Sequence, residues 1–197
     1  MSDLRQSSVL DESVVVTLSQ LPTPQNVIGR ASTIAPGLVE EFRGIPYATV
    51  PGRWRHSVLR TRLPNDNFHA IDNGYDLHVC VPVCLVIAEL IPDSSPQCPQ
   101  PPQYATSDSF QCHLDWPENV GESEFDCLNL FIVRPSTSWL QQAGFDERGD
   151  LKLPVYLNIH GGGFGWGAGT DPMWGNTPLV LLSLSVILYH VGSISME

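Results

Sequence analysis

The stretch Leu153-Pro-Val-Tyr-Leu-Asn-Ile-His-Gly-Gly-Gly-Phe-Gly-Trp-Gly-Ala-Gly169 decides how this chain is read. Its first part, Leu153 to Ile159, is apolar nearly throughout, the pattern of a strand buried on both faces of a sheet. A turn with glycine at 161, 162, 163, 165, 167 and 169 follows at once. An ordinary strand-to-helix turn needs one or two glycines; so dense a run lets the backbone take positive φ and approach a ligand closely. A short helix is expected between Asp171 and Leu184, and a further strand over Ser185 to Val191. Buried strand, glycine turn, helix and strand together predict an α/β architecture.

Strands are also predicted upstream. Ser13 to Leu18 and Val27 to Ile34 are rich in β-branched residues and are separated by Pro22 and Pro24. Leu38 to Phe42 and Cys127 to Val133 read as two more, and Arg43 to Gly52 as turn and extended chain. Five prolines between Pro92 and Pro102 exclude a helix or central strand there and imply a surface loop. Gln141 to Lys152 reads as a polar excursion.

Composition excludes several classes of function. The 197 residues carry 10 Lys and Arg against 21 Asp and Glu, a net charge of −11, and 42% are hydrophobic. That suits one domain with a real core, rich in loops given 16 Gly and 17 Pro. Few, scattered cations and a strong negative balance exclude a nucleic-acid reader and disfavour docking on anionic lipid. The apolar runs Val79 to Ile91 and Leu179 to Val191 fall short of the roughly 20 residues a membrane span requires. The first residues, with Asp3, Asp11 and Glu12 and no apolar run, do not form a signal peptide, so a cytoplasmic location is the default expectation.

Consecutive N–H groups in the glycine turn can converge on one oxygen, as in the oxyanion holes of serine esterases, where fixed donors meet the charge of a tetrahedral intermediate. A dinucleotide fingerprint has a formal match in Gly163-Phe-Gly-Trp-Gly-Ala168. It lacks the acidic residue about 20 positions on that would hold a ribose. No lysine follows the glycines as a P-loop requires. No cofactor is expected. His78, Cys80 and Cys84 form a poor zinc signature, with one histidine and no second cysteine pair, so no metal is expected either.

Five segments in order carry a wider resemblance: Phe42-Arg-Gly-Ile-Pro-Tyr-Ala48, Arg53-Trp54, Pro96-Gln-Cys-Pro-Gln100, Ser123-Glu-Phe-Asp-Cys-Leu-Asn-Leu130, and Leu153 through Phe164. Together they resemble the amino-terminal part of the type B carboxylesterases, the family of cholinesterases and related lipases, over about residues 27–178. The resemblance implies part of an α/β-hydrolase fold with a mixed, mostly parallel sheet. It implies hydrolysis of a small-molecule carboxylic ester by a serine, a histidine and an acid. Gly162 and Gly163 correspond to the backbone oxyanion donors, and Phe164, Trp166 and Trp174 to pocket walls. Cys98 and Cys127 correspond to the family's first disulfide, which suggests a secreted ancestry.

Departures from the family are as informative. The stretch at about 73–92 has no family counterpart and reads as an apolar insertion; residues 179–197 form an atypical tail. Ser123 lies in Gly121-Glu-Ser-Glu-Phe125, which lacks the closing glycine of a nucleophile elbow, and no Gly-x-Ser-x-Gly occurs anywhere in the sequence. The expectation is therefore a partial type B domain over 1–197, stopping before the nucleophile and inactive alone, with no catalytic triad member. The runner-up expectation is a non-catalytic cholinesterase-like binding or adhesion module.

Overall fold

The computed structural model describes residues 13–71, 96–100, 121–145, 153–163, 165–169, 171, 176–184 and 189–191. The stretch at 73–92, with His78, Cys80 and Cys84, lies outside the described residues, as do Cys112, Phe164, Trp174 and, within the tail, 185–188 and 192–197.

Strand β1 (Ser13–Leu18) folds back on β2 (Gln25–Ala31) as an antiparallel pair, Ser13 opposite Arg30 and Leu18 opposite Gln25. Pro22 and Pro24 fall in the connection, where no ladder N–H is needed. The end of β2 pairs antiparallel with β3 (Val39–Pro46) through Arg30 opposite Glu41 and Ala31 opposite Glu40. A two-stranded ribbon of β4 (Ala48–Thr49) and β5 (Val58–Leu59) follows. Then β6 (Asn67–His69) runs parallel to the first half of β2, Val27 opposite Phe68. Strand β7 (Asn129–Pro135) pairs antiparallel with β3 and leads into helix α1 (Thr137–Gln142). Ser136 caps that helix, its hydroxyl accepting from Trp139 N–H at 3.1 Å. Last come β8 (Val155–Leu157), α2 (Thr177–Leu182) and β9 (Tyr189–Val191). The sheet order is β1-β2-β3-β7-β9-β8, with β6 beside β2.

Two expectations are corrected here. The sheet is mixed but mostly antiparallel: only β2 with β6 and β8 with β9 run parallel. Parallel neighbours need a long crossover, usually helical. Among the described strands β7 and β8 are joined through α1 and β8 and β9 through α2, while β1, β2 and β3 follow one another by short connections. The strand predicted over Leu153 to Ile159 shortens to three residues, and it is not buried. Val155, Tyr156 and Leu157 are 60%, 46% and 48% exposed, because β8 stands at the end of the sheet order and, among the described strands, pairs with β9 alone.

Two apolar clusters lie on β3 and β7. Phe42 packs with Val27, Phe68 and Ala70, joined by Ile132 opposite it on β7. Val39 and Val133 pack with Ala35 and with Val180 of α2. Strand alternation separates the two sets. Gly29 admits the Phe42 ring; a Cβ at Gly29 would lie 2.5 Å from that ring and from the Glu41 carbonyl oxygen.

A buried carboxylate sits on the α2 side. Glu41 is 1% exposed. Its Oε2 accepts from Arg43 Nη2 at 2.7 Å and Arg30 Nη2 at 3.3 Å, and its Oε1 accepts from the Thr177 hydroxyl at 2.7 Å. Burial pushes the Glu41 carboxyl up. Arg43, the hydroxyls of Thr177 and Ser32, and Arg30 outweigh it and hold the group below its ordinary value. A depressed folded pKa gives stability that is complete above the unfolded carboxylate pKa and is lost as pH falls through the lower, folded one.

Glu41→Gln is therefore expected to lower unfolding free energy at pH 7 by about 3 kcal/mol, since it removes the Glu41 charge from beside the buried Arg30 and the half-buried Arg43. It should also flatten the acid limb of stability against pH. Urea midpoints measured from pH 7 downward on both chains check this; parallel acid limbs would refute it.

Candidate active site

The glycine turn follows β8 and folds on itself. Gly162 has φ +139°, and its carbonyl accepts from Gly165 N–H at 3.1 Å and Trp166 N–H at 3.2 Å. A Cβ at Gly162 would lie 1.6 Å from the Trp166 carbonyl oxygen, so no other residue fits this turn. Gly163 follows at φ +61°. Among the described residues the N–H groups of Gly162 and Gly163 meet no acceptor. His160 Nδ1 lies 2.8 Å from the Gly161 carbonyl oxygen; a carbonyl only accepts, so Nδ1 carries the proton.

Both glycines line a cavity of about 960 Å³ between the turn, the 50–55 loop and the segments at 98–100 and 124–125. Trp54, Phe125 and Ile159 supply exposed apolar surface to its wall. Trp166 also lines it. The volume lies within the range of small-molecule sites, whose walls are commonly apolar with few polar groups.

Two links hold the walls. Arg53 grips Glu124 through a bidentate fork, Nε to Oε2 at 2.6 Å and Nη2 to Oε1, joining the 50–55 loop to the 121–128 segment. The hydrogen bond from Arg53 holds the Glu124 carboxyl below its ordinary value and lifts Arg53 above its own. The pair is exposed, so its effect is on geometry more than on stability. Cys98 and Cys127 are joined in a disulfide, Cα atoms 4.9 Å apart, closing a loop with a separation of 29 residues. Such a closure stabilises by roughly 3–4 kcal/mol. Beside it Gln97 pairs with the 121–123 segment, its N–H donating to Gly121 O at 2.9 Å and its carbonyl accepting from Ser123 N–H at 2.9 Å.

Ser123 sits in the turn that follows. Its hydroxyl accepts from Phe125 N–H at 3.2 Å and Asp126 N–H at 3.1 Å and donates to Asp126 Oδ2 at 3.2 Å. The Arg53–Glu124 fork escaped sequence reasoning, although both residues stand inside quoted segments, 71 positions apart. Gln100 escaped it as well. Among the described residues no group of three metal-ligating side chains occurs, and no helix is long and apolar enough to cross a membrane.

Lipase 1 of Yarrowia lipolytica is 25% identical to this chain over 142 residues, which is 72% of the chain and 21% of the relative. The chain thus spans about a fifth of that protein's length. Among solved structures, an esterase from the anaerobe Clostridium hathewayi, described as able to hydrolyse aliphatic aromatic polyesters, matches with a TM-score of 0.53 and 18% identity. That match covers 91% of this chain and 28% of the esterase. No protein-family model matches. These likenesses relate the chain to carboxylesterases and lipases.

Gly162→Ala is expected to open the turn, with amide exchange at Gly165 and Trp166 speeding by roughly tenfold or more as their shared acceptor moves. Gly161→Ala meets nothing within 4 Å and has ordinary φ, so it should leave both amides protected. Equal behaviour of the two variants would refute the strain argument.

Proposed function

We propose that this chain supplies the oxyanion-binding portion of a serine carboxylic ester hydrolase of the carboxylesterase and lipase kind, in its type B branch, with small-molecule carboxylic esters as substrates. The observation that carries this reading is the pair of N–H donors, Gly162 and Gly163, that meet no acceptor among the described residues and stand beside a cavity of ligand size. The lipase and esterase likenesses support the same chemistry.

In that reaction a serine oxygen attacks the acyl carbon and its proton passes to a histidine. The carbonyl oxygen becomes an alkoxide, which the Gly162 and Gly163 N–H groups meet. Collapse returns the proton to the leaving alcohol and leaves an acyl-enzyme for water to hydrolyse. Each fixed donor in such a hole is worth about 3–4 kcal/mol of transition-state stabilisation. Apolar walls at Trp54, Phe125 and Ile159 suit the hydrocarbon part of the ester.

The 197 residues contain no Gly-x-Ser-x-Gly, so the attacking serine is not among them in family form. A binding test therefore probes the donors without turnover. Titrating benzylphosphonate, whose charged oxygens mimic the tetrahedral intermediate, into ¹⁵N-glycine-labelled chain should shift the Gly162 and Gly163 amide signals. Unmoved signals at saturating probe would overturn the oxyanion reading.

The chain by itself is expected to give no covalent serine adduct with a fluorophosphonate and no hydrolysis of 4-nitrophenyl butyrate above buffer. Intact mass after probe treatment checks this. A serine adduct would show a nucleophile within these residues and refute it.

A further inference from the structure

We propose that Gln100 is the positioning residue of the glycine turn, fixing through Gly167 where the Gly162 and Gly163 N–H groups stand. The inference rests on the reading of those two groups as oxyanion donors, and it adds a residue outside the turn to the machinery.

The Gln100 side chain clasps both backbone groups of one residue, Gly167. Its Oε1 accepts from Gly167 N–H at 2.8 Å, and its Nε2 donates to the Gly167 carbonyl at 3.2 Å. The second Nε2 proton goes to the Cys98 carbonyl at 2.8 Å. A primary amide has two donors and an acceptor, and all are engaged here. The opposite amide orientation would set NH₂ against N–H and oxygen against two carbonyls, so only one orientation fits. Glutamate keeps the acceptor and loses both donors; alanine loses everything.

The clasp has a fixed base and a short route to the donors. Gln100 N–H donates to Glu122 Oε1 at 3.3 Å, and two residues earlier Cys98 is bonded to Cys127, just before β7. Pro99 and Pro101 flank Gln100 in sequence and restrict its backbone further. On the turn side, Gly167 has φ +97°, and a Cβ there would lie 2.6 Å from the Gly161 carbonyl oxygen, so the two peptides are in close contact. The neighbouring Trp166 N–H donates to Gly162 O. Movement at Gly167 therefore moves both ends of the Gly161–Gly162 segment. Oxyanion donors act through pre-organisation, where displacement by about 1 Å is costly.

The same device occurs at Gln25, which accepts from Leu63 N–H at 2.9 Å and donates to the Leu63 carbonyl at 3.2 Å and the Asn65 carbonyl at 3.1 Å. Gln25 is 1% exposed and holds a loop beside the sheet, so it serves as a structural control.

The test uses the full 197-residue chain, ¹⁵N-glycine labelled, as wild type, Gln100→Ala, Gln100→Glu and Gln25→Ala. In Gln100→Ala, exchange at the Gly167 amide should speed by roughly tenfold or more, and the Gly162 and Gly163 signals should move, with the thermal midpoint nearly unchanged. Gln100→Glu should keep the Gly167 amide protected yet still move Gly162 and Gly163. Gln25→Ala should lower the midpoint and leave the turn signals in place. Unmoved Gly162 and Gly163 in both Gln100 variants, or a Gln100→Ala effect that only follows a fallen midpoint as in Gln25→Ala, would overturn the proposal. Benzylphosphonate added to wild type separates the two readings: moved turn signals in the variants with no wild-type response leave the clasp standing and remove the oxyanion role.

Discussion

The carboxylate of Glu41 is the interaction on which the arrangement depends. It is buried between a cross-strand arginine on β2, an arginine two residues along β3 and the first residue of α2. Taking such charges from water costs several kcal/mol per ion, so the cluster adds less to stability than its short distances suggest. Its effect is on register. Slipping β3 by one residue against β2 would turn Glu41 onto the Phe42 side, beside an apolar cluster and away from Arg30 and Thr177. A wrong pairing is thereby penalised far more than the right one is rewarded. On the other face Glu40 pairs with Arg134 of β7 at 2.7 Å and accepts Thr137 N–H at 3.0 Å, so adjacent acids lock β3 to both neighbours and to both described helices.

From that frame the glycine turn is held at two places. Downstream, Thr177 ties α2 to Glu41, and Val180 seats the helix against Val39 and Val133. Within the turn, Gln100 ties Gly167 to a segment that the disulfide joins to the foot of β7. Upstream the support is thin, since β8 is short and exposed. The turn thus takes its position more from the 96–100 segment than from the strand that leads into it. Polar clasps, each with its donors and acceptors matched, do here what apolar burial does in the sheet.

Much of this was legible in the sequence, and the illegible part has a common cause. Strand β1 falls where its run of β-branched residues places it, because an edge hairpin depends on local pattern. The glycine turn is legible for a similar reason: positive φ and a Cβ-free contact at Gly162 admit one residue type. Sheet direction is not local. An apolar run such as Leu153 to Ile159 reads the same for a buried strand and for one whose neighbours are absent among the described residues. Helix α1 is also missed, as six residues without buried side chains leave no periodic signal; only its Ser136 cap marks it. Glu40 and Glu41 fall inside the strand expected over Leu38 to Phe42, and nothing local marks their partners on distant segments. Gln100 and the Arg53–Glu124 fork are likewise long-range pairings of surface-type residues, which spacing cannot reveal.

The charge balance bears on the chemistry of such a site. A net charge of −11 disfavours any developing anion, although screening confines that field to about 8 Å at physiological ionic strength. Of the two arginines that line the cavity, Arg53 is engaged by Glu124 and Arg55 stands on the same loop. Under the proposed function the oxyanion is met by dipoles, the N–H groups of the glycine turn. Dipoles suit the task better than a free cation would. A cation at the same place would bind an anionic product as strongly as the transition state, whereas fixed N–H groups favour the geometry in which the charge develops. Their value depends wholly on being held in place, which returns the chemistry to the clasp on Gly167 and, behind it, to the strand register that Glu41 enforces.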